Sequence, residues 1–81
     1  MHLGVYSLEK IFYHDEARSV NCKTAMGEIT ILNNHQPLIS VLDKGVIKII
    51  DEKNEEHYID AESGFLTVLE GNNVRILIDS N

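Results

Sequence analysis

Side chains able to do chemistry are few and scattered in this 81-residue sequence. Four histidines stand at His2, His14, His35 and His57, and the one cysteine is Cys22. No two histidines have the His-x-His or His-x-x-x-His spacing beside an acid that a metal centre uses. A small metal-dependent β enzyme would need the fold to gather them. No Gly-x-Ser-x-Gly occurs, Cys22 has no adjacent base, and no glycine loop could cradle a phosphate. Glu52 and Glu55 flank a hairpin tip and are expected to be solvated, since calcium needs fixed, convergent oxygens. The sequence therefore assigns no catalytic residue, cofactor or metal ligand. What remains is the stretch from Gly27 to Leu38. It opens on a glycine and an acid, runs through Ile29–Leu32, and breaks at Asn33-Asn34-His35-Gln36-Pro37. Asparagine tolerates left-handed backbone angles, and Pro37 fixes its own φ and removes a ladder donor. A rigid polar corner between strands is a place for recognition.

The elements that must hold this corner are strands. His2–Ser7 has period two, with Leu3 and Val5 on one face and His2, Gly4 and Tyr6 on the other. Ser7–Lys10 reads as a turn, Ile11–Tyr13 as a short strand and His14–Glu16 as a polar turn. Ala17–Lys23 alternates again, placing Val20 and Cys22 together on a face where Cys22 is expected as a small core residue. Leu38–Leu42 is apolar enough to be buried on most sides. Val46–Ile50 and His57–Asp60 flank a charged tip with Asn54 suited to it. Phe65–Leu69 puts Phe65, Thr67 and Leu69 on one face, and Val74–Ile78 pairs back across a Gly71-Asn72 turn. No segment keeps a helical period over three turns. The expected fold is one all-β domain, a flattened antiparallel β-sandwich of about nine to ten short strands.

Composition narrows the partners. A net charge of −6 and a pI near 5.0 argue against nucleic-acid phosphates and against an anionic membrane surface. A lone cysteine suits a reducing compartment. No apolar run reaches the length of a membrane span or a signal core.

Several anchors then stand in a specific order: Leu3-Gly4-Val5-Tyr6-Ser7, Gly27-Glu28-Ile29, Ile31-Leu32, His35-Gln36-Pro37-Leu38, Gly45-Val46-Ile47, Ser63-Gly64-Phe65-Leu66-Thr67-Val68 and Asn73–Asp79. The series resembles the N-terminal β-sandwich domain of the epsilon subunit of F-type ATP synthases, over essentially the whole chain. Asn34 replaces the usual glycine before the histidine, Gln36 a small residue, Ser63 the first of paired glycines, and Thr30 a common glycine. Family members usually continue into a C-terminal pair of helices that can block rotation and in some members binds ATP. Without it, the resemblance implies a chain that neither brakes the motor nor senses ATP.

The resemblance implies a non-catalytic rotor part at the cytoplasmic face of a bacterial membrane, attached to it only through the complex. Its partners would be the gamma subunit and the membrane c-ring. Gly27, Glu28 and Ile29 would face the ring. Ser7, His35, Gln36, Pro37, Leu38 and Ser40 would face gamma, with His35 bracing its own loop. It also implies an exposed apolar patch on one face, open to self-association when gamma is absent. A free-standing β binding module is the alternative.

Overall fold

A computed structural model describes residues 1–79, and every regular element among them is a strand. The order is β1 (His2–Tyr6), β2 (Ile11–Thr24), β3 (Gly27–Leu32), β4 (Leu38–Leu42), β5 (Gly45–Asp51), β6 (Glu56–Ala61), β7 (Ser63–Leu69) and β8 (Asn73–Asp79). Pairing gives one continuous eight-stranded sheet folded over into two layers, β1-β8-β7-β4 and β3-β2-β5-β6, joined by the β1–β2 ladder and by the Thr24↔Leu42 pair of β2 with β4. The second strand belongs to both. Its first half pairs with β1, from Tyr6↔Ile11 to His2↔Glu16, and its second half lies between β3 and β5.

That shared strand accounts for the count of eight instead of nine to ten. His14–Glu16 is not a turn: Gly4↔His14, Leu3↔Asp15 and His2↔Glu16 are ladder pairs. Three polar residues in a row can continue a strand here because all three are exposed. The His14 ring packs edge-on to His2 at 5.2 Å, and His2 Nδ1 lies 2.8 Å from Glu16 Oε2. The register on β5 then shifts between Ala17 and Ser19. One extra residue reverses the inward parity, so Ala17 and Val20 are both buried although an odd step separates them. Nor is the fold wholly antiparallel: β1 and β8 run parallel, which is open to them because the rest of the chain makes the crossover.

Between the layers sits one apolar core. Leu3, Val5, Val20, Ile31, Ile49, Leu66 and Ile76 are fully buried in it. Cys22 joins them as the sequence implies, and desolvation pushes its thiol up to about 11. Among the described residues the one buried polar side chain, Thr24, is satisfied: its hydroxyl donates to Gly27 O at 2.7 Å and accepts from Met26 N at 3.1 Å. Gly64 lies against the backbone of a neighbouring strand. A Cβ there would stand 2.3 Å from the Leu77 carbonyl oxygen.

The turns follow their chemistry. Ser7 Oγ accepts from Glu9 N and Lys10 N, both at 3.2 Å, closing the β1–β2 turn. In the β5–β6 hairpin, Asp51 Oδ1 accepts from Lys53 N (2.8 Å) and Glu55 N (2.9 Å), while His57 Nε2 lies 2.8 Å from Oδ2. The His57 hydrogen bond, helped by these two amides, holds the Asp51 carboxyl below its ordinary range. Asn34, Asn54 and Asn72 all take left-handed φ angles of 61–64°.

Candidate functional site

The outer faces of the two layers differ in kind. On the β1-β8-β7-β4 layer, Tyr6, Leu77, Phe65 and Val41 form one row across four strands. Ile39 lies in the next row, on the same side of β4 as Val41, and Leu69 on the same side of β7 as Phe65. Exposure is 76% at Ile39, 50% at Val41, 56% at Phe65 and 46% at Leu77. On the opposite layer, the polar row Thr30, Asn21, Lys48 crosses the outer surface and ends on Tyr58. Lys48 Nζ pairs with Glu56 Oε1 at 2.9 Å. The apolar row is bordered by Thr67 and Arg75 beside Ile39, and the opposite layer also exposes Leu32 and Val46, but four exposed apolar residues side by side on one layer make it the better candidate for an interaction surface.

The β4 strand is covered on one face only, not on most sides as its apolar run suggests. Its five residues alternate: Leu38, Ser40 and Leu42 turn toward the core, and Ile39 and Val41 turn out. An apolar run gives no signal that only one of its faces is covered. Two hollows flank the apolar face. One is a groove of about 910 Å³ beside the β1–β2 turn, lined by Leu8, Phe12, Tyr58, Phe65 and Leu77. The other, about 590 Å³, lies over Pro37, Leu38, Ile39 and Leu69.

The residues singled out from the sequence fall in three places. Ser7 borders the larger groove, one residue past the Tyr6–Leu77–Phe65–Val41 row. His35, Gln36 and Pro37 form the β3–β4 corner, one residue beyond the Leu38–Val68–Val74–Leu3 row. Ser7 and Pro37 therefore mark opposite corners of the same four-strand layer. They are about 14 Å apart across the strands and about 17 Å along them. His35 braces its loop locally, with Nδ1 2.6 Å from Gln36 O and its amide donating to Leu32 O at 3.3 Å. Leu38 and Ser40 are half-buried on the inner side of β4. Gly27, Glu28 and Ile29 lie in the other layer, at the start of β3. Gly27 has φ 117°, an angle that glycine takes readily, at the position just after the Ala25-Met26 turn where β3 begins. Glu28 is exposed, and its Oε1 accepts from Asn21 Nδ2 at 3.0 Å. Ile29 packs partly against the core. Ile39, Val41, Phe65 and Leu77 were not singled out from the sequence. Their signal was the apolar outward set on β4 and β7, legible once the inward set was known.

Among the described residues, no three His, Cys, Asp or Glu side chains converge as metal ligands. The arrangement is that of a small β-sandwich interaction domain with one apolar face. The chain belongs to the family of the ATP synthase delta/epsilon chain, beta-sandwich domain, whose model matches residues 1–81. It is 34% identical over 79 residues to the chloroplastic ATP synthase epsilon chain of Adiantum capillus-veneris, covering 98% of this chain and 58% of that one. It is 38% identical over 66 residues to the ATP synthase epsilon chain of Clostridium novyi, covering 82% and 50%. The chain thus spans little more than half the length of these relatives. The fold matches a chain in the Euglena gracilis mitochondrial ATP synthase OSCP/F1/c-ring structure with a TM-score of 0.89 at 19% identity, over 96% of this chain and 49% of that one. It also matches one in the Tetrahymena thermophila mitochondrial ATP synthase central stalk/c-ring structure, with a TM-score of 0.83 at 21% identity, over 99% and 63%.

Proposed function

We propose that this domain is a non-catalytic central-stalk part of a rotary F-type ATP synthase, joining a gamma subunit to the membrane c-ring. The observation that carries the reading is the family match over residues 1–81. The apolar face of β1-β8-β7-β4, bounded by Ser7 and the His35–Pro37 corner, suits a large, permanent partner, because such interfaces resemble a core cut in half. That partner is gamma. The end of the opposite layer at Gly27–Glu28 is exposed and carries the Glu28 carboxylate beside the exposed Met26 at the turn tip, which suits the polar loops of a c-ring. Glu28 there steers docking more than it adds affinity. The domain works at the cytoplasmic face of a bacterial membrane and reaches that membrane only through the complex.

Co-purification tests this. The domain, gamma and c subunits from one organism are co-expressed, and the domain is captured. Recovery of gamma in stoichiometric amount, with the c-ring recovered only in membrane preparations, is the expected result. Recovery of neither would defeat the reading in favour of a free-standing binding module.

A further inference from the structure

We propose that Asn72, in the β7–β8 turn, is the positioning residue of the His35–Pro37 corner. Residues 33–37 have little to hold them in place by themselves. The His35 amide and ring bond only within the loop and its adjoining strand end, and Pro37 has no donor. Two links tie the corner to the rest of the sheet: the Met1 amino group reaches Asn33 Oδ1, and from 38 residues away Asn72 Oδ1 accepts from Asn34 N at 2.8 Å, among the described residues the one bond that holds the loop's own backbone to another strand pair. A backbone N–H can only donate, so the atom facing it must be the Asn72 amide oxygen. That sets the Asn72 amide nitrogen toward Asn33 Oδ1, to which it donates at 3.3 Å. Asn33 Oδ1 is an acceptor on its other side as well, facing the Met1 amino nitrogen. The orientation of the Asn72 amide is therefore fixed by two neighbours, its oxygen meeting the Asn34 amide and its nitrogen meeting Asn33 Oδ1.

Asn72 can act as an anchor because its own backbone is held. Its carbonyl accepts from His2 N at 2.9 Å. Its φ is 61°, next to Gly71 at 79°. Asn73 Nδ2 donates to the carbonyls of Glu70 (3.2 Å) and Gly71 (3.1 Å) and closes the turn behind it. A braced turn on one strand pair thus clasps a loop joining the two layers. Asparagine meets both requirements at this position, a left-handed φ and a side chain with one donor and one acceptor end.

What the corner then presents to gamma rests on the function proposed above; the clasp itself does not. Asn72→Gly keeps the left-handed angle and removes both side-chain bonds. Asn72→Asp keeps the acceptor for Asn34 N and removes the donor. Amide hydrogen exchange and urea unfolding are measured on all three proteins, and binding to isolated gamma alongside them. In Asn72→Gly, the Asn34 amide is expected to exchange about tenfold faster, with Ile49 and Leu66 amides unchanged. Asn72→Asp is expected to restore most of that protection. Gamma affinity should fall in the glycine variant and recover in the aspartate variant at an unchanged urea midpoint, a pattern that general loss of structure does not produce. Unchanged Asn34 exchange in Asn72→Gly, or equal acceleration at Ile49, would overturn the proposal. Loosening and rescue of Asn34 with gamma affinity flat, or with no gamma binding by the wild type, supports the clasp and counts against the corner as the gamma contact.

Discussion

Ile39 separates binding from folding better than any other position on the apolar face. Fully burying an isoleucine side chain stabilises by about 1.5–3 kcal/mol. With 76% of the residue still open to solvent, about three-quarters of that gain, roughly 1.1–2.3 kcal/mol, is left for a partner to collect. About one-quarter has already been collected on folding. Ile39→Thr keeps the β-branched shape and one methyl, so its strand propensity is preserved. The expected loss is therefore about 1–2 kcal/mol in gamma affinity, about 5- to 30-fold in Kd, against about 0.5 kcal/mol or less in folding stability. Val46→Thr is the matched control, since Val46 is 49% exposed on the opposite layer. Titration calorimetry with gamma and urea unfolding of each variant give the two numbers. Unchanged affinity in Ile39→Thr would refute the placement of gamma on this face, and so would an equal loss in Val46→Thr.

Three further outcomes follow from the fold. Gly64→Ala should destabilise by about 2 kcal/mol or more, because the new Cβ meets a neighbouring backbone oxygen at 2.3 Å and β7 and β8 must part; thermal unfolding should show the midpoint about 10–15 °C lower. Asp51 has a lowered folded-state pKa, so its contribution is complete above the ordinary carboxylate value and is lost as pH falls through the lowered one; urea midpoints should show Asp51→Asn weaker than wild type at neutral pH, with the gap closing below about pH 4. Cys22 should resist alkylation at pH 8 in the native protein and react on unfolding, since burial keeps the thiol protonated; a thiol-reactive chromophore reads this directly.

Much of the fold was legible because its strands alternate. The inward and outward sets of β1 and β7 follow from period two, and the left-handed turns follow from Asn34, Asn54 and Gly71-Asn72. What was not legible depends on partners distant in sequence. His14–Glu16 has the composition of a turn, and only pairing with β1 makes it strand. The residue inserted before Ser19 leaves no mark in residue type, yet it decides which side of β2 enters the core. The corner was legible as a corner, but its clasp was not, because Asn72 reads locally as nothing more than a turn residue. The apolar face was expected in kind. Its location required knowing that none of the described elements covers Ile39 and Val41.

In the proposed assembly, gamma covers one layer and the c-ring meets the edge of the other, so torque must cross the sandwich. Core contacts resist compression between layers well and sliding less well, because dispersion is not directional. Chain connections at β3–β4, β4–β5 and β6–β7 also join the layers, but the longest hydrogen-bonded link is β2. Its first half is hydrogen-bonded to β1 in the gamma-facing layer, and its second half to β3, which carries Glu28. A sideways load on Glu28 passes through the Lys23↔Glu28 pairing into β2, around the bend at Ala17–Ser19, and into the ladder with β1. Backbone hydrogen bonds have direction, and a ladder loaded along its length shares the load over all its pairs. A strand belonging to both layers therefore gives a thin, 81-residue domain shear stiffness that its core alone could not supply.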